Sequence, residues 1–270
     1  MRPLLLAVAV LLLVPPTATA QRPPIKMSGA VIATALTADL AYFYRRDVRS
    51  PPRFELVGGS TTTGIADVSR GVSDVGLTAR ALLPSDPPGL VFTPFARTGV
   101  CLVTNRANPV PGFTRAQIQD LVAARVADWS QVPGSPLAGP IVAGGVTVGA
   151  GTRTAFEAVM VDPGTPQLNM PRTFLSSPQL RSFVRATASA WGYVDLAFAG
   201  GLHVVPFDGV PCTRANVASG AYPARTELGF VTRGRPKGRV ARFIRWVRSS
   251  RKARRVIATR YIPVQAARAS

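Results

Sequence analysis

Short apolar runs and apolar positions spaced by three and four succeed one another along this chain. Ile25-Lys26-Met27 reads as a strand, and the stretch 30–44 behind Ser28-Gly29 carries Ile32, Leu36, Leu40 and Phe43 at helical spacing. The same order, strand then small-residue turn then helix, recurs twice. Residues 54–57 lead into a turn rich in Gly, Ser and Thr, after which Ile65, Val68 and Val72 continue as a short helix. Residues 144–148 lead into Gly149-Ala150-Gly151-Thr152 and a helix around 155–160, where Thr154 and Glu157 have capping-box spacing. Further strands are expected at 74–77, 99–104, 192–197, 202–207 and 227–233. A helix over 114–123 turns Ile118, Leu121 and Val122 inward, and one over 239–249 aligns Val240, Phe243, Ile244 and Val247. Alternating strands and helices imply an α/β chain whose parallel or mixed sheets carry helices on both faces. The Pro/Gly-rich stretch 133–145 reads as a loop inside a domain.

The first twenty residues stand apart from this pattern. Arg2, an apolar core over 4–14 and the small residues Ala18-Thr19-Ala20 are the parts of a cleavable signal peptide, residues 1–20. That core is too short for the ~20 helical residues of a membrane span. No cysteine follows the cleavage point, so the expectation is a periplasmic or secreted protein without a lipid anchor. About 250 residues remain, enough for one large or two modest domains.

Charge changes the picture more than composition does. Lys and Arg number 32 against 13 Asp and Glu, a formal charge of +19. Such an excess points to nucleic acid or other anionic partners. Export argues against nucleic acid and leaves an anionic ligand, an anionic envelope or solubility. On the helix over 239–249 the arginines at 242, 245 and 248 lie opposite or beside the apolar stripe. They read as a solvated face, with a docking surface for an anionic polymer or a transporter as the sharper alternative.

Cys101 and Cys212 are able to pair, closing a loop of about 110 residues, or to stand as two buried thiols; the sequence leaves both open. With one histidine and no Cys/His cluster, neither a structural metal nor a cofactor is expected. No Gly-x-Ser-x-Gly elbow is present. His203 sits in an apolar strand, where a packed, hydrogen-bonded histidine is the plainer reading than a catalytic base. Acids are too scarce for a metal-dependent phosphatase. The chain does not read as an enzyme.

The turns carry the candidate chemistry. In "GGSTTTGIADVSRGVSDVGLTAR", residues 58–80, Gly59 and Gly64 have half the spacing of a nucleotide-binding loop, but Ile65-Ala66 stand where that loop needs Lys and a hydroxyl. Each of the three turns would set free backbone N–H groups at a helix start, an anion site in kind. Any one of them is explained by ordinary capping. Three in one basic, exported chain read as walls of a single cleft.

The order of these motifs resembles that of the phosphate-binding proteins of ABC phosphate transporters, along most of the chain after the signal peptide. "GGSTTTGIADVSRGVSDVGLTAR", "VPGFTRAQIQDLVAARVADWSQV", "GAGTRTAFEAVM", "WGYVDLAFA", "SGAYPARTELGFVTRGRPKGRVARFIRWVRSS" and "YIPV" are each similar to a segment of that family, in the family's order. The resemblance implies a two-lobed, periplasmic-binding-protein-like fold of type II, with two mixed sheets, flanking helices and a ligand cleft between the lobes. Crossovers would fall near 99–105 and 202–207, giving lobe 1 as 24–98 plus 208–264 and lobe 2 as 99–207. Both cysteines would then lie near the hinge, making a pair more plausible.

The implied ligand is inorganic phosphate or another oxyanion, delivered by a monomer to an ABC permease. Its contacts would be Ser28, Gly29 and Ala30 in the first turn. Ser60, Thr61, Thr62 and Thr63 would follow in the second, with Thr78 and Arg80 beyond the short strand. The third turn would add Ala150, Gly151, Thr152 and Arg153. Arg80, Arg153 or Arg97 would supply positive charge. Three positions depart from the family pattern: Ala79 stands where a carboxylate accepts the ligand's proton, Val146 where an arginine is common, and Ala150 where serine is usual. The alternative implied by these departures is a family-like module with another ligand or no transport role, acting as an envelope interaction or sensor protein through its basic surface.

Overall fold

A computed structural model of the chain describes residues 23–161 and 170–264. The expected signal peptide lies outside them. In chain order the elements are β1 (Ile25–Ala30), α1 (Val31–Asp47), β2 (Phe54–Gly59), α2 (Thr61–Arg70), β3 (Val75–Thr78), β4 (Leu90–Thr104), α3 (Arg115–Val122), β5 (Val142–Val146) and α4 (Gly151–Met160). Then come β6 (Arg172–Phe174), α5 (Ser177–Ala186), β7 (Ala190–Asp195), β8 (His203–Val205), α6 (Arg214–Ser219), β9 (Arg225–Arg233), α7 (Gly238–Ser249), α8 (Arg251–Ala258) and β10 (Ile262–Pro263).

The spacing that predicts α1 is the one that buries it: Ile32, Leu36 and Leu40 face the first core. α2 stops at Gly71, whose φ of 76° takes the left-handed cap while its N–H reaches back to the Asp67 and Val68 carbonyls. Val72, expected on that helix, therefore falls beyond it and is exposed. The strand expected at 144–148 ends at Val146, freeing 147–150 for the turn. The helix at 239–249 is present as α7, with Phe243, Ile244 and Val247 buried and Arg242 and Arg245 exposed. α8 follows at once because the Ser250 hydroxyl accepts from the N–H groups of Lys252 and Ala253.

β4 organises the molecule. From Leu90 to Gly99 it pairs antiparallel with β9, and from Val100 to Thr104 with β7. β8 adds to the same end, over Leu102 to Thr104. On one side the parallel strands β2, β1 and β3 join through β9; on the other β7, β5 and β6 run parallel. Two mixed sheets thus share one long strand. Each covers its own core, one around Phe95, Phe230 and Phe243, the other around Trp129, Phe156 and Trp191.

The second crossing differs from expectation. Residues 208–224, expected with the first lobe, pack into the second core, and the chain returns at Arg225, where β9 begins opposite Gly99. Three contacts hold that segment to the far half of β4. Cys212 is disulfide-bonded to Cys101, with Cα atoms 5.5 Å apart. The Tyr222 hydroxyl donates to the Val100 carbonyl at 2.9 Å. Val217 packs so closely on Gly99 that a Cβ there would lie 2.6 Å from its Cγ2.

Candidate functional site

A parallel strand followed by a helix puts the helix N-terminus at the strand's C-terminal edge, the edge where open α/β sheets bind ligands. Here β1, β2, β5 and β6 run into α1, α2, α4 and α5, and the four helix starts converge on one small pocket. Ala30, Val31 and Ile32 line it from α1, and Gly59, Ser60 and Thr61 from α2. Opposite them stand Val146, Ala150, Gly151 and Thr152, with Leu175, Ser176 and Ser177 at the start of α5. Ala79, just past β3, completes the wall.

The first N–H groups of a helix have no partner within it. α2 is capped by the Ser60 hydroxyl, which accepts from the Thr63 N–H at 3.0 Å. α1, α4 and α5 have no side-chain cap, so their opening N–H groups are left to a ligand. Ser176 stands at the N-cap of α5, 9% exposed, and its side chain does not cap the helix. Ser176 thus lines a pocket of uncapped N–H groups, a place suited to a polar ligand. None of the described residues lining the pocket carries a formal charge. Its positive potential comes from backbone dipoles.

The two halves touch across the pocket mouth. Both the N–H and the hydroxyl of Thr62 donate to the Gly149 carbonyl, at 3.3 and 3.2 Å. Gly151 lies against Ala79 with so little room that a Cβ would come within 2.6 Å of the Ala79 backbone.

Of the residues expected to hold the ligand, Ala30, Ser60, Thr61, Ala150, Gly151 and Thr152 line the pocket. Thr62 serves the cross-cleft contact instead. Ser28 faces away from the pocket, its hydroxyl donating to Asp67 Oδ2 at 2.8 Å and lying 2.9 Å from that of Ser73. Gly29 is pressed against the Leu77 backbone, Thr63 is exposed beside Ser60, and Thr78 donates to the Gly229 carbonyl.

Each of the expected arginines is paired with an acid. Arg80 is held by both oxygens of Asp86 at 2.6 and 2.9 Å, Arg153 by Glu157 at 2.7 Å, and Arg97 by Glu227 at 2.8 Å. The departures at Ala79, Val146 and Ala150 all fall on the pocket wall. His203 Nε2 lies 2.7 Å from the Val110 carbonyl, a packed histidine away from the cleft.

Sequence reasoning missed the α5 wall and the acid behind it. Ser176-Ser177-Pro178 followed by Leu180, Phe183 and Val184 carries a helix-start signal, with proline in the first turn. Asp195 was legible as an acid inside the apolar "WGYVDLAFA" of an acid-poor chain. It ends β7, fully buried, and its Oδ2 accepts from Thr152 Oγ1 at 3.0 Å and Ser177 Oγ at 2.6 Å. Its own N–H donates to Ser177 Oγ at 3.1 Å. Oδ1 has no partner among the described residues.

Burial pushes the Asp195 carboxyl up to about 6, against the two hydroxyls that hold it down. Between its ordinary value of 3.8 and that value the folded chain keeps a proton the unfolded chain has lost. The contribution of Asp195 is therefore complete below 3.8 and is lost as pH rises toward 6. At 1.36 kcal/mol per unit the loss is about 3 kcal/mol. Urea denaturation of the anion-free protein between about pH 4 and 7 should show the parent losing stability relative to Asp195→Asn by roughly that amount. Parallel profiles for the two proteins would refute the assignment.

A family model described as the PBP superfamily domain matches residues 15–251. The phosphate-binding protein PstS of Bacillus subtilis is 23% identical over 216 residues, which are 78% of this chain and 71% of that protein. A substrate-binding protein of Clostridium perfringens, assigned to phosphate ABC transport and solved with bound phosphate, superposes with a TM-score of 0.81 at 24% identity. That match covers 90% of this chain and 100% of the other. An ABC-type phosphate transport receptor from Vibrio cholerae superposes with a TM-score of 0.73 at 22% identity, over 88% and 99% of the two chains.

Proposed function

Because this chain belongs to the PBP superfamily domain family, we propose that its cleft holds one tetrahedral oxyanion, inorganic phosphate, for delivery to an ABC importer. The observation that carries this reading is the convergence of four helix N-termini, three without side-chain caps, on a small pocket. A dehydrated oxyanion needs several hydrogen bonds to offset its lost hydration, and uncapped N–H groups supply them without a bound cation. The family resemblance of the motifs and the phosphate-binding relatives support phosphate as the ion. No covalent step is involved: the protein works as a periplasmic monomer that binds, closes about β4 and releases to a permease. The described residues contain no helix long and apolar enough to cross a membrane.

Calorimetric titration of the phosphate-stripped chain from residue 21 tests the reading. Phosphate should bind with a dissociation constant of about a micromolar or less, an affinity of about 8 kcal/mol. Raising salt should change it little, because the contacts are buried. No binding of phosphate or sulfate would end this reading and turn attention to the exposed arginines of α7 and α8, whose interactions would be strongly salt-dependent.

A further inference from the structure

We propose that Asp195 makes this pocket selective for an oxyanion that still carries a proton: by holding the hydroxyl protons of Thr152 and Ser177, it leaves their oxygens presenting lone pairs to the ligand. The inference deepens the phosphate reading and rests on it. A hydroxyl has one proton and two lone pairs, so its hydrogen bonds are countable. Thr152 Oγ1 commits its proton to Asp195 Oδ2. Ser177 Oγ commits its proton to the same oxygen and one lone pair to the Asp195 N–H. Both residues line the pocket. What they have left for a ligand is acceptor capacity, two lone pairs from Thr152 and one from Ser177.

Thr61, on the opposite wall, is arranged the other way. Its oxygen accepts the Ala79 N–H at 3.0 Å, and its proton is bound to no described acceptor. The Thr61 hydroxyl therefore offers a donor, and the hydroxyls of Thr152 and Ser177 offer acceptors among the helix N–H groups. Hydrogen phosphate satisfies both, receiving from Thr61 and the helix N–H groups and donating its P–OH proton to Thr152. Sulfate has no proton to give and would set an anionic oxygen against those lone pairs. Ala79 provides no side-chain acceptor that could do this work, so the discrimination falls to the hydroxyls that Asp195 orients. A fully buried carboxylate with one oxygen lacking a partner is costly to keep for packing alone, which fits a functional role. Asp195 is thus a positioning residue acting through Thr152 and Ser177.

Titration of the anion-stripped protein with phosphate and with sulfate, at about pH 7.5 where Asp195 is ionised, tests this. The parent should favour phosphate by at least about tenfold, since a site built around a ligand's hydrogen rejects the analogue lacking it. Thr152→Val keeps the shape and removes the acceptor. It should weaken phosphate by about 10- to 100-fold and sulfate by less than about threefold. Thr152→Ser should restore the preference. If Thr152→Val fails to fold, Ser177→Ala removes the other acceptor and should shift the ratio in the same direction.

Equal affinity of the parent for both anions would overturn the proposal while leaving the oxyanion reading intact. So would an equal loss for both anions in Thr152→Val, which would make Thr152 a donor. Failure of the parent to bind either anion would overturn both readings.

Discussion

Replacing Gly151 with alanine should abolish anion binding while leaving the fold in place. Gly151 opens α4, on the second half of the molecule, and packs directly on the end of β3 in the first. An added Cβ would lie 2.6 Å from both the carbon and the oxygen of the Ala79 carbonyl. Neither is the end of a flexible side chain, so the clash is relieved only by moving α4 away from β3, which opens the cleft. The helix start would retreat by a good part of an ångström from the ligand, and misplacements of that size cost about 100-fold. Because the obstructing atoms lie across the cleft, each core keeps its own packing. We expect Gly151→Ala to melt within about 2 °C of the parent and to bind phosphate at least about 100-fold more weakly. Affinity within about threefold of the parent would mean that the closed arrangement is not the binding arrangement.

Loss of the disulfide should have the largest effect on stability. Cys101 and Cys212 are separated by 111 positions, and closing so long a loop restricts the unfolded chain by about 4–5 kcal/mol on the chain-entropy model. The bond also sits where it governs the geometry of the cleft. Cys101 lies on β4 just past Gly99, and Cys212 anchors the segment that delivers the chain to β9. Both crossings between the halves are thus tied to one another. The double substitution Cys101→Ala, Cys212→Ala should lower the unfolding free energy in urea by roughly that 4–5 kcal/mol. The same loss should appear on reducing the parent. Phosphate affinity measured well below the new midpoint should change little, since neither cysteine lines the pocket. An unchanged midpoint would show that the unfolded chain is already restrained in this region by residual structure.

Local sequence determined the elements of this protein and three of the four walls of its pocket. Strand, small-residue turn and helix are written within fewer than twenty residues, as at 54–70, and the apolar spacing of α1 or α7 is enough to say which face is buried. The fourth wall at Ser176 and Ser177 is signalled only by the proline and apolar spacing of α5, which mark a helix start and not a ligand. The tertiary structure decided where each polar group spends its hydrogen bonds. Arg80 and Arg153 stand beside turns that invite an anion, yet Asp86 and Glu157 take them. Residues 208–224 join the second core through a disulfide and a tyrosine hydroxyl that reach more than a hundred positions along the chain. Thr61 and Thr152 follow similar turns, but one keeps its proton for the pocket and the other gives it to Asp195. A hydroxyl is donor and acceptor alike, and the neighbour that chooses between them is brought by the fold, from Ala79 in one case and from the end of β7 in the other.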